Sequence, residues 1–194
     1  MATLDDNYTE DNSYIDPKEV SMMPVAVRYG LIGGLASIVL GLLAHVLGLT
    51  DMKDPNSLTN WLVTILSWGI VIGATVLAIQ NHRDQELGGY IGMGRAFGVG
   101  FMTCLFIGLA GAIWAVIFFS VIDPGMIDEI RNLQIEQMEA QGLSDEDIEA
   151  SRGTIETFSS PAVLAGMSFI GSLLFGALVS AVAGGVMKKE HPMA

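Results

Sequence analysis

Charge is missing from four long stretches of this chain. Tyr29 to Leu49, Trp61 to Gln80, Phe97 to Ile122 and Ala162 to Met187 contain no Asp, Glu, Lys or Arg. A water-soluble helix bundle carries polar residues along its outer face at helical spacing, so this absence excludes a soluble bundle and makes lipid the surrounding medium. Each run reaches the roughly 20 residues that a helix needs to cross a hydrocarbon layer. Cysteine is almost absent: Cys104 stands alone inside the third run. It excludes a disulfide within the chain and reads as a small packing residue. Basic residues are scarce as well, nine Lys and Arg against 21 Asp and Glu, for a net charge of -12. That balance excludes nucleic acid as a partner and argues against polybasic lipid binding. Histidine is limited to His45, His82 and His191. His45 lies near the far end of the first run and the other two on the opposite side, so no two share a site. No Ser, His and acid cluster can be assembled within a run, and no catalytic residue, metal or cofactor is expected.

What is present is 51% apolar residue with a mean hydropathy of +0.51. The expected fold is all-α: a polytopic membrane protein of four transmembrane helices, with an extramembrane helical hairpin between helices three and four. Residues 1–24 form an acidic leader (Asp5, Asp6, Glu10, Asp11, Asp16, Glu19) expected to be partly disordered. The transmembrane domain occupies 25–189. The first run is too long, and its leader too acidic, for a cleaved secretion signal. Asp16-Pro17-Lys18-Glu19 has the cap, proline and Glu order that opens a short interfacial helix.

With four spans, both termini share a side with the loop after span two. That side carries Lys18, Arg28, Arg83, Arg95, Lys188 and Lys189, the other Lys53, Arg131 and Arg152. The bias places the termini in the cytoplasm and the hairpin outside.

Between spans two and three, "RDQELGGYIGMGRAFGVGF" is rich in glycine and charge. It fails as a dinucleotide fingerprint, because Phe97 stands in place of the last glycine and no strand precedes it. It fails as a P-loop too, with Arg95-Ala96 where Lys-Ser/Thr is needed. His82-Arg83-Asp84 lacks the rest of a kinase set. The stretch reads instead as the point where the chain re-enters the membrane. Gly88-Gly89 stops the second helix, Tyr90 sits at headgroup depth, and Gly94 with Gly98 admits another backbone. The charges of His82, Arg83, Asp84, Glu86 and Arg95 are expected to pair with Arg28 and Lys188 and hold the loop to the bundle.

The run Arg83-Asp84-Gln85-Glu86-Leu87-Gly88-Gly89-Tyr90-Ile91, followed by Gly94-Arg95-Ala96-Phe97 and Gly100-Phe101, resembles the signature of a bacterial family, domain of unknown function 4199. Ile122-Asp123-Pro124 and Phe158-Ser159-Ser160-Pro161 are similar to it as well, and the resemblance spans roughly Val25 to Lys189. It implies a four-helix inner-membrane protein and brings no activity or catalytic residue. Met93 and Gly98 stand where similar proteins would carry an aromatic and a Lys.

Small residues recur at helical spacing in the spans, most densely at Ser168, Ser172, Gly176, Ser180 and Gly184. Gly30 with Gly34, Gly33 with Ser37 and Gly41, and Gly69 with Gly73 extend the pattern. Such stripes bring helices close where lipid supplies little hydrophobic drive, either within the four-helix unit or against a partner. Between spans three and four, residues 123–160 hold ten acids against Arg131 and Arg152. Asp123-Pro124 opens a helix with an apolar face of Met126, Ile127, Ile130, Leu133 and Met138, closed by Gly142. Ser144 to Asp147 opens a second with Ile148, Ile155 and Phe158 on one face, and Ser160-Pro161 caps span four. The acids lack the spacing and glycine of a calcium loop. His45, titratable at membrane depth, is a candidate for a role there.

The expected function is a non-enzymatic membrane protein that assembles with a second copy or a membrane partner through small-residue faces. A small oligomeric transporter or channel is the alternative, and a membrane-interface enzyme working through the loop a further one.

Overall fold

The computed structural model describes residues 16–51, 54 and 56–190. The leader before Asp16, Lys53 and His191 lie outside them. Among the described residues six α-helices follow in order: α1 (Met23–Val46), α2 (Leu58–Asn81), α3 (Met93–Ile117), α4 (Gly125–Ala140), α5 (Asp145–Phe158) and α6 (Pro161–Met187). Among the described residues no strand forms; a single antiparallel bridge joins Ile91 to Lys189. Four helices, α1, α2, α3 and α6, are long and apolar enough to span a membrane, with π-helical turns extending α2 through Glu86 and α3 through Ile122. The expected all-α polytopic fold and its four spans are what the chain adopts.

Helix ends follow local chemistry more than hydropathy. Pro24 sits in the first turn of α1, a position that needs no N–H, so the helix begins at Met23 rather than Tyr29. It stops at Val46 because Gly48 takes a φ of 62°, letting Leu49 N–H reach Ala44 O at 2.8 Å and Gly48 N–H reach His45 O at 3.0 Å. That pairing satisfies the last carbonyls. α2 starts at Leu58 because the Ser57 hydroxyl accepts from Asn60 N–H. The expected helix at Asp16 is a single turn: Asp16 caps Lys18 N–H at 2.9 Å, but the chain bends at Val20 before α1.

α3 is the central helix, packed against α1, α2 and most extensively α6, whereas α2 and α6 touch lightly. The best-sealed core lies at the end that carries both termini, where Val25, Ala78, Ile79, Leu87, Ile91 and Val99 are buried together.

At the opposite end α4 and α5 form the expected antiparallel hairpin. Gly142 at φ 79° closes α4, and Ser144 with Asp147 makes a reciprocal capping box on α5. Ile127, Ile148 and Ile155 are buried beneath it, but Phe158 is more than half exposed and lies off that face. Two caps differ from expectation. Asp123 makes no side-chain cap on α4 and faces His45 instead, and the Ser160 hydroxyl donates back to Thr157 O at 2.8 Å.

Candidate functional site

The glycine-rich stretch becomes a tight corner. After α2 the π-helical turn His82–Glu86 leads into residues 87–92, where Gly88 and Gly89 hold φ of 64° and 93°. Only glycine adopts such angles freely, and Gly89 N–H then bonds back to Arg83 O at 2.8 Å. The reversal drives Leu87 and Ile91 into the core, at 2% and 1% exposure. Ile91 exchanges two 2.9 Å backbone hydrogen bonds with Lys189, fixing the chain beyond α6 to this corner. The Lys189 ammonium lies 5.1 Å from the centre of the Tyr90 ring.

Inside the corner sits a polar network. His82 is fully buried; its Nδ1 lies 2.6 Å from Glu86 Oε2, and Arg95 Nε donates to its Nε2 at 3.1 Å. A guanidinium has no acceptor, so Nε2 carries the lone pair and Nδ1 the proton. The imidazole is therefore neutral, with both nitrogens engaged. Nitrogen-15 spectra of histidine-labelled protein should show one Nδ1–H tautomer for His82; an Nε2–H tautomer or an imidazolium signal would contradict the geometry. Arg95 also donates through Nη2 to Val20 O, clamping the segment that precedes α1. Arg83 makes a bidentate pair with Asp84 at 2.7 and 3.1 Å and donates to Met187 O at the end of α6.

The motif charges thus pair among themselves, which corrects one expectation. Arg28 stacks over Tyr29 and Lys188 lies near Glu190, so neither joins the network. Within the chain nothing lies within 4 Å of a Cβ placed on Gly94, and Gly98 faces the Met22 thioether. Phe97 stacks on Phe101 in the next turn of α3.

The small residues of α6 form a seam with α3. Gly184 abuts Ala96 and Phe97, Ser180 abuts Gly100, Gly176 abuts Cys104, and Ser172 abuts Gly108. The register advances four residues on one helix as it retreats four on the other, as an antiparallel pair requires. A Cβ on Gly100 would stand 2.8 Å from Ser180 Oγ. Cys104 is buried, its sulfur 3.2 Å from Thr75 Oγ1, which joins α2 to the seam. Ser168 is exposed and outside it. Gly30, Gly33 and Gly34 of α1 pack closely on α3 or α2, whereas Gly41, Gly69 and Gly73 have nothing within 4 Å of a Cβ placed on them.

His45 sits near the hairpin side, about one third exposed, with Nε2 3.5 Å from Asp123 Oδ2 and its ring edge-on to Phe118. It lines a cavity of about 300 Å³ with Thr50, Asp51 and Glu129.

Sequence reasoning placed the charged group at this corner but missed the reach of Arg95 to Val20 and the burial of His82. The His82 to Glu86 spacing of one helical turn was readable; the Arg95 contacts cross a corner and carry no periodic signal. A family model described as "Protein of unknown function (DUF4199)" matches residues 28–189. No curated protein and no solved structure matches.

Proposed function

Because this chain belongs to the DUF4199 family of unknown function and has four candidate membrane spans, we propose that it is a non-enzymatic accessory or assembly protein of the bacterial inner membrane. It packs against a second copy or a membrane-protein partner through a small-residue face. The observation that carries this reading is the contrast between glycine pairs. Those of α1 and α6 that meet α3 are filled, while Gly69 and Gly73 of α2 face outward with open space around them. Two glycines four apart on a lipid-facing surface let a further helix approach closely. The excess of Lys and Arg on the terminus side supports cytoplasmic termini and an extracytoplasmic acidic hairpin. The neutral, doubly bonded His82 supports a structural role for the corner over acid/base work.

The test is co-purification from native membranes with a lipid-preserving polymer, comparing the chain with Gly69→Leu/Gly73→Leu. A stoichiometric partner or second copy should be retained by the chain and reduced at least about tenfold by the double variant, a loss of about 1.4 kcal/mol. Equal recovery from both would remove the α2 face from the proposal. An oligomeric transporter is the second reading. On its side stands a cavity of about 550 Å³ between α2 and α4, lined by polar groups including Asn60, Thr64, Gln134 and Gln137.

A further inference from the structure

The light contact between α2 and α6 leaves a groove of about 580 Å³ along the outside of the bundle. Its walls are Ile72 and Val76 on one side and Leu178, Val182 and Val186 on the other. At mid-span it is closed by Trp68 stacked on Phe175, with ring centres 5.7 Å apart. At the terminus side it opens beside Gln80 and Met187. From Trp68 to Gln80 is about 18 Å at 1.5 Å per residue. One leaflet of a hydrocarbon core about 30 Å thick is about 15 Å deep. The groove therefore has the depth of one leaflet and a floor near the midplane.

Those dimensions choose between occupants. A transmembrane helix would continue past the midplane, where Trp68 and Phe175 stack across the groove. A single acyl chain enters from one leaflet and ends there. The groove mouth also fits a phosphate. The Arg83 guanidinium is held at Met187 O, Lys188 follows directly, and Lys189 lies beside Tyr90. Three of the chain's nine basic residues gather at this point. Asp84 and Glu190 offset two of them, leaving one net positive charge for an anionic group.

The geometry points to a bound phospholipid: one acyl chain lies in the α2–α6 groove and its phosphate rests among Arg83, Lys188 and Lys189, the last supplying the uncompensated charge. Neither Gly69 nor Gly73, on which the proposed packing face rests, lines this groove.

The test uses the full chain in mild detergent, with native mass spectrometry to count retained lipid. One phospholipid per chain is expected, lost at least tenfold in Val182→Trp, which fills the groove from an exposed position. Lys188→Glu/Lys189→Glu should lower the preference for phosphatidylglycerol over phosphatidylcholine by about fivefold or more, on the scale of about 1 kcal/mol for each charge near a surface. A second measurement needs no variant: a phospholipid with a diazirine at its chain end should crosslink mainly to Trp68, Ile72 and Phe175. Uniform labelling of all lipid-facing helices would overturn the site. Equal lipid retention by a folded Val182→Trp would do the same, as would crosslinking of Val182→Cys to another polypeptide.

Discussion

Gly176→Leu is expected to destabilise the bundle by at least about 3 kcal/mol, whereas Gly73→Leu should change the stability of the isolated chain by no more than about 0.5 kcal/mol. Both substitutions place the same side chain on a membrane-spanning helix, and both glycines belong to similar stripes. They differ in what stands opposite. A Cβ on Gly176 already meets the Cys104 side chain, and Leu would push α6 away from α3. Cys104 is fixed from behind by Thr75, so it cannot step aside. Separation at one turn also loosens the neighbouring contacts of Ser180 with Gly100 and Ser172 with Gly108. Gly73 has open space, and a Leu there meets lipid. Three kcal/mol is a change of about a hundredfold in the folded ratio, readable by reversible SDS titration of purified protein followed by circular dichroism. Equal midpoints for the two variants would refute the seam.

The comparison also shows what sequence carries and what it leaves out. Runs free of charge announce the four spans, because a charged side chain in hydrocarbon is costly and its absence over such lengths has few other causes. Their ends were less legible. Hydropathy counts Arg95 as the end of a loop, yet it stands in the first turn of α3 with its guanidinium folded inward. At the far end of α1 hydropathy runs on to Leu49, while the positive φ of Gly48 ends the helix earlier. Periodicity marks a face of small residues but never names the helix opposite. Ser172, Gly176 and Ser180 follow the same rule as Gly69 and Gly73 and have the opposite fate. Ser168 shares the spacing and falls outside the seam. Which stripe is filled depends on three-dimensional register, set by contacts 64 to 88 residues apart in the chain.

The corner offers the second large effect, in Arg95→Ala. One guanidinium there serves two acceptors: Nε2 of His82, a side chain at zero exposure, and the carbonyl of half-buried Val20. Hydrogen bonds from a charged donor are worth about 1.5 to 3 kcal/mol each, and a buried acceptor left alone carries its own desolvation cost. The expected loss is about 3 kcal/mol. Arg95→Lys should recover at most about half of it, since an ammonium at the end of a flexible stem cannot reproduce the fork that reaches both groups. The backbone from Asp16 to Val25 should exchange its amide hydrogens at least about tenfold faster in Arg95→Ala, because the clamp that joins that segment to α3 is gone. A simple loss of packing would not favour one acceptor over another, so a double-mutant cycle distinguishes the causes. His82→Phe removes the stranded acceptor and keeps an aromatic ring in the same volume. In the Arg95→Ala background it should therefore cost at least about 1 kcal/mol less than in the unmodified chain, with the remainder of the Arg95 effect assigned to Val20. Additivity within about 0.5 kcal/mol, together with unchanged exchange before α1, would mean that Arg95 fills space at the corner and does not hold the terminus to it.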